Sequence, residues 1–84
     1  MKVKVIGKNI KITDALRNVV EQKISKLEKY FKPEVEAFVS LSVQKNAHII
    51  EVTIPFNGVI LRSEESNEDM YVSLDLVLDK IERQ

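Results

Sequence analysis

The chain has 84 residues, 44% hydrophobic and 31% charged, enough for one hydrophobic core and too few for two. It contains no cysteine, so disulfides, thiolate metal ligands and thiol nucleophiles are excluded together, which suits a reducing compartment. The formal net charge of zero conceals a polarity along the chain: residues 1–32 hold nine cations against three carboxylates, and residues 33–84 hold four against ten, so a basic surface able to meet nucleic acid coexists with a neutral total.

The N-terminal stretch has no apolar run long enough for a signal peptide, and no segment approaches the roughly 20 apolar residues of a membrane span. A cytoplasmic protein is the expectation. From Lys2 to Gly7, Val3 and Val5 alternate with Lys2 and Lys4, the period of a half-buried strand. Gly7-Lys8-Asn9 breaks the pattern. Thr13 is then placed to cap a helix, with Asp14 in the first turn where its charge complements the helix dipole.

The spacing predicts a first helix from Asp14 to Phe31, with Leu16, Val19, Val20, Ile24, Leu27 and Phe31 as its apolar stripe and Pro33 as its stop. Its flanks differ. Lys23, Lys26 and Tyr30 fall together on one side with Lys29 just beyond, and Glu21 and Glu28 lie on the other with Arg17. The lysine and tyrosine group suits a grip on phosphates, with the ring as a hydrogen-bonding or stacking face. It equally suits lysine stems that cover the edge of the core while their ammonium groups reach water.

From Val35 the period changes to two. Val35, Ala37, Val39, Leu41 and Val43 form one face of a strand, and Ile50, Val52, Ile54 and Phe56 continue that face after a tight turn placed at Asn46-Ala47. Asn57-Gly58 is a strong hairpin signal, because both central residues of a type I′ turn need positive φ. Val59 to Glu65 then returns. Two-residue loops at these positions set Phe56 opposite Val59, Ile54 opposite Leu61 and Val52 opposite Ser63. They also set Val43 opposite Ile50, Leu41 opposite Val52 and Val39 opposite Ile54. Both turns direct the same apolar set to one side, which a one-residue slip would destroy. Pro55 lacks a ladder donor and implies a local irregularity.

The other face carries Ser40, Ser42, Glu51, Thr53, Arg62 and Glu64, with Phe38, Ile49, Pro55 and Ile60 toward its ends. Being mostly polar, it leaves a single apolar face for the helices. The fold class is therefore α+β, a two-layer β-α-β-β-β-α domain with a four-stranded sheet and both helices on one face. Ser66 is placed as the cap of the second helix, with Asp69 as an imperfect capping-box partner.

The closing segment, Asp69 to Gln84, is amphipathic, with Met70, Leu74, Val77, Leu78 and Ile81 in one stripe. Asp75, Asp79 and Glu82 project on one flank. Lys80 and Arg83 project on the other beside Leu76, a separation of sign that points the basic side toward something anionic.

Residues for chemistry are few. His48 has no neighbour in sequence to complete a triad or a metal site. Glu64, Glu65, Glu68 and Asp69 lack the ligand spacing of a calcium loop and suit the start of a helix instead. Neither glycine belongs to a phosphate-cradling loop. An enzyme, a metal, a cofactor and a small-molecule substrate are all unexpected.

Four stretches together carry a family resemblance. Gly7-Lys8-Asn9-Ile10-Lys11-Ile12-Thr13-Asp14-Ala15-Leu16-Arg17, then Lys23-Ile24-Ser25-Lys26-Leu27-Glu28-Lys29-Tyr30-Phe31, then Asp69-Met70-Tyr71 with Asp79-Lys80-Ile81-Glu82-Arg83-Gln84 resemble the ribosome hibernation promoting factor family. That family includes the ribosome-associated inhibitor A proteins and was once described as modulators of sigma-54. The resemblance implies a domain similar to double-stranded RNA-binding domains that binds the small ribosomal subunit. It implies a place in the channel of messenger RNA and the A- and P-site tRNAs, and inhibition of translation in stress or stationary phase by occlusion. Lys23, Lys26, Lys80 and Arg83 match the family's basic positions facing 16S rRNA, Lys29 extends the first group, and Tyr30 and Tyr71 are neighbours. The chain lacks the lysine-rich tail of the short forms, so the N-terminal domain of a long form is expected, and ribosome dimerisation would need a C-terminal domain. The rival reading is a protein interaction module that docks through the open sheet face or through Val72 and Leu76.

Overall fold

The period-two stretches pair into one four-stranded sheet of spatial order β1-β2-β3-β4, in a computed structural model that describes residues 1–84. β1 (Lys2–Gly7) is parallel to β2 (Glu36–Gln44), and β3 (Ala47–Phe56) and β4 (Val59–Asn67) follow antiparallel. With α1 (Asp14–Ile24), a 3₁₀ segment (Ser25–Tyr30) and α2 (Met70–Glu82), the element order is the expected α+β arrangement. α1 packs over β1, and α2 over β3 and β4. Between the layers, Ala37, Val39, Leu41, Ile50, Val52 and Ile54 of the sheet meet Val20, Ile24 and Leu27 on one side and Leu74, Val77 and Ile81 on the other, all buried. Each fully buried aliphatic side chain stabilises the fold by about 1.5–3 kcal/mol before entropy is charged against it.

The β3–β4 hairpin has the register that Asn57-Gly58 predicts, Phe56 with Val59 and Val52 with Ser63, and Asn57 and Gly58 both have positive φ. The β2–β3 hairpin differs from expectation. Its turn is Lys45-Asn46, flanked by the pair Gln44 and Ala47, so Leu41 faces Ile50 and Val39 faces Val52. The shift is two residues, which keeps every side chain on its face, so hydrophobic alternation alone does not select between the two registers. The chosen turn holds Lys45 at φ +56°, a left-handed conformation that costs a non-glycine residue about 1 kcal/mol. Asn9 secures this end of β2, its side chain accepting from the Val43 N–H at 2.9 Å and donating to the Val43 carbonyl at 2.6 Å.

Pro55 lies within β3 and pairs with Ile60 of β4, but the β2–β3 ladder stops at Phe38 and Thr53. Continued regularly, the next hydrogen-bonded pair would call on the N–H that proline lacks. The strand ends splay there, and Phe31 fills part of the gap, its ring edge-to-face with Phe56 at 5.0 Å.

The first helix is shorter than expected. α1 ends at Ile24, and Ser25 to Tyr30 wind as 3₁₀. The Ser25 hydroxyl donates to the Glu21 carbonyl at 2.6 Å, a back-bond one turn away that bends helices. Three residues per turn then stack Leu27 on Ile24 over the sheet and keep both fully buried. The cap of α2 also differs. β4 continues to Asn67 with Ser66 paired to Ile49, so Ser66 belongs to the ladder. Asp69 caps instead, its carboxylate accepting from the Tyr71 N–H at 2.8 Å.

Two buried hydroxyls contrast. Ser73 of α2 donates to the His48 carbonyl at 2.7 Å, whereas Ser63 Oγ is buried with no partner. Gly7 is required by close approach, since a Cβ there would sit 2.3 Å from the Ile10 carbonyl oxygen. In dilute solution, Ser73→Ala should lower unfolding stability by about 1 kcal/mol and Ser63→Ala should leave it unchanged within about 0.5 kcal/mol. Chemical denaturation of both variants checks the contrast. Gly7→Ala should cost about 1–3 kcal/mol by the same measurement, as the Gly7–Ile10 turn is forced apart.

Candidate nucleic-acid interface

Lys23, near the end of α1, reaches across to α2, where its Nζ lies 2.5 Å from Asp75 Oδ1. This contact fixes which flank of α2 meets α1. Tyr71 is four residues before Asp75 on the same flank, exposed at 45%. Lys80 lies on the opposite flank, and its Nζ is 3.3 Å from Glu65 Oε2 of β4. Arg83 folds back one turn to Asp79 at 2.6 Å. The expected separation of charge on α2 thus holds for Lys80 but not for Arg83, which meets Asp79 of the acidic flank, and the anions that meet Lys23, Lys80 and Arg83 are the chain's own carboxylates.

Lys26 and Lys29 differ, being exposed and paired with no carboxylate. The 3₁₀ winding regroups the residues that an α-helix would have set beside Lys23. Positions three apart eclipse, so Lys26 and Lys29 form one column and Tyr30 follows Leu27 out of the core to the surface. Lys29 Nζ lies 5.2 Å from the centroid of the Tyr30 ring, a cation–π arrangement, and the ring is 53% exposed. Lys32 is also exposed without a carboxylate partner and lines a cleft with Tyr30, Phe31 and Phe56. Sequence reasoning passed over Lys32. Lysine recurs at 26, 29 and 32, but Lys32 lies past the 3₁₀ segment, which ends at Tyr30 before the extended Phe31.

The sequence-stated group of Lys23, Lys26, Lys29, Tyr30, Tyr71, Lys80 and Arg83 thus falls into three places. Lys26, Lys29 and Tyr30 form an open basic and aromatic patch. Lys23 and Tyr71 lie on the facing sides of the two helices. Lys80 and Arg83 lie further round α2, each in an ion pair. The three ion pairs are solvent-accessible, with side-chain exposures up to 75% at Arg83, so each holds by about 1 kcal/mol or less. A phosphate offering charge and two acceptor oxygens can displace the carboxylate from such a pair. No three carboxylates or imidazoles converge in a metal-holding group, and no helix is long and apolar enough to cross a membrane.

The family described as sigma 54 modulation protein / S30EA ribosomal protein matches residues 3–84. A ribosome hibernation promotion factor of Staphylococcus aureus (strain COL) is 51% identical over 81 residues, which cover 93% of this chain and 43% of that protein. The chain therefore spans less than half the length of that curated relative. Among solved structures, the N-terminal domain of Protein Y from Thermus thermophilus superposes with a TM-score of 0.90 at 36% identity, covering 100% of this chain and 94% of that one. A ribosomal subunit interface protein from Coxiella burnetii shares the fold, with a TM-score of 0.86 at 24% identity over 100% of this chain and 92% of that one. In a double-mutant cycle of Lys23→Ala and Asp75→Ala, the coupling free energy should be below about 1 kcal/mol and should shrink further in about 1 M salt.

Proposed function

The chain belongs to the sigma 54 modulation protein / S30EA ribosomal protein family, and we propose that it is the ribosome-binding domain of a hibernation promoting factor. In this reading it works in the cytoplasm, docks on the small ribosomal subunit where messenger RNA and tRNA would lie, and silences translation by occupying that space. The mechanism is occlusion and involves no covalent step. The observation that carries the reading is the open patch of Lys26, Lys29 and Tyr30 beside exchangeable ion pairs at Lys23, Lys80 and Arg83.

The two kinds of cation have different roles. Lys26 and Lys29 meet phosphates without giving up an internal partner, so their full charge contributes to affinity and to its salt dependence. Lys23, Lys80 and Arg83 must first exchange Asp75, Glu65 or Asp79 for RNA. Their net contribution is smaller, but the exchange makes docking responsive to geometry, because only a phosphate presented in reach displaces the carboxylate. Tyr30 and Tyr71 supply a stacking face or a phenolic hydrogen bond at the margins of the contact.

Co-sedimentation with purified small subunits across a salt series tests this. Binding should weaken steeply with salt and be displaced by messenger RNA or initiator tRNA. Lys26→Glu and Lys29→Glu should each reduce affinity about tenfold or more, and the double variant should lower the steepness of the salt dependence by roughly two phosphate contacts. Asp75→Asn, which frees Lys23, should leave binding equal or tighter. Unchanged binding of the Lys26→Glu/Lys29→Glu variant would overturn the assignment.

A further inference from the structure

The two edges of the sheet are treated differently. At β1 the Val5 carbonyl accepts from Arg17 Nη1 at 3.3 Å, and Lys2 and Lys4 stud the strand with Lys8 just past its end, which are devices that discourage pairing. At β4 the backbone is open. The two-residue loop makes Phe56 and Val59 the closing hydrogen-bonded pair, so Val59, Leu61, Ser63, Glu65 and Asn67 direct their N–H and C=O toward β3. Ile60, Arg62, Glu64 and Ser66 direct theirs outward, nothing in the chain bonds those groups, and Ile60 is 62% exposed. The register runs unbroken along nine residues without a bulge.

We propose that a second copy of this chain adds to this edge, β4 against β4, antiparallel about a two-fold axis through Ser63. Outward-directed residues must pair with outward-directed residues, which restricts the register to steps of two. Charge selects among those steps. One choice sets Arg62 against Arg62 of the second copy, another sets Glu64 against Glu64, and like charges directly opposite are destabilising. The register between them sets Arg62 against Glu64 twice, once on each side of the axis, and it alone uses the full length of the strand, with Val59 opposite Asn67.

A second observation falls on the same axis. Ser63 Oγ is buried without a hydrogen-bond partner. In the selected register Ser63 faces its own copy in a non-hydrogen-bonded pair, where Cβ atoms come to about 4.5–5.5 Å, within span of a hydroxyl-to-hydroxyl bond. The orphaned group of the single chain becomes satisfied in the pair. α2 contributes to the same side. Lys80, bonded to Glu65 of β4, marks the flank of α2 that looks over this edge, and Leu76, 39% exposed, lies on that flank one turn before it. A dyad at β4 brings the two Leu76 flanks toward one another. None of this calls on Lys26 or Lys29, so the pairing stands or falls apart from the ribosome reading.

Sedimentation velocity of the 84-residue chain, taken to about 1 mM, reads the outcome. A reversible monomer–dimer equilibrium is expected. Arg62→Glu and Glu64→Arg should each weaken association at least about tenfold by placing like charges opposite, with melting curves confirming that both variants fold. Mixed in equal amounts, the two variants should pair with one another about as tightly as the unaltered chain, because opposite charges then face across both contacts. Ser63→Ala should weaken association several-fold. A chain that stays monomeric at about 1 mM, single variants that associate like the unaltered chain, or failure of the mixture to pair would each overturn the proposal. Association surviving both charge reversals would place the contact on another surface.

Discussion

Burial of one face of the β2-β3-β4 meander is the constraint on which the other elements depend. Ala37, Val39, Leu41, Ile50, Val52 and Ile54 share that face, and neither helix has another apolar surface to pack on. The two helices divide the face, α1 toward β1 and α2 over β3 and β4. Their separation follows from the width of the sheet, and Lys23 meets Asp75 because the helices are neighbours on a shared floor. Even the 3₁₀ segment answers to this face, since its tighter winding keeps Leu27 in line with Ile24 above the strands.

The electrostatic character follows from that packing. The chain is basic in its first third and acidic afterwards, and folding sets the two halves against each other at the helix flanks. Lys23 of α1 meets Asp75 of α2 and Lys4 of β1 meets Glu36 of β2 in this way, whereas Lys80 with Glu65 of β4 and Arg83 with Asp79 pair inside the acidic part. The 3₁₀ segment extends beyond the reach of α2's carboxylates, so Lys26 and Lys29 remain uncompensated. A neutral protein thereby presents a local positive field, and proximity rather than total charge decides where an anion is attracted.

Much of this was legible in the residues because alternation and amphipathic spacing report directly on which side a residue faces. The element order, the Asn57-Gly58 hairpin and the apolar stripes that face the sheet follow from these patterns. What was not legible depended on choices the pattern leaves degenerate. A turn at Lys45-Asn46 and one at Asn46-Ala47 bury the same face, and it is the distant side chain of Asn9, bonded to Val43, that accompanies the observed one. Ser66 and Asp69 are both good caps, and only the length of β4 decides between them. The site was read in its membership but not in its grouping, because the pairing of Lys23 with Asp75 and of Lys80 with Glu65 spans 52 and 15 positions. Helical wheels carry no information across elements.

The parallel strand carries a consequence for the order of assembly. Lys2 pairs with Glu36, so β1 has no partner until more than thirty further residues have been made, whereas β2, β3, β4 and α2 each pack on the element before or just after them. Closing short loops precedes closing long ones, since the longer loop gives up more chain entropy before any contact compensates for it. The meander with α2 is thus the natural nucleus, and β1 with α1 docks onto it as a late step. During synthesis the order of emergence is reversed, because the basic N-terminal third leaves the ribosome first and remains unpaired the longest. The segment that carries Lys23, Lys26 and Lys29 is therefore exposed as an unfolded polycation beside the polymerising machine before it has a fold to present.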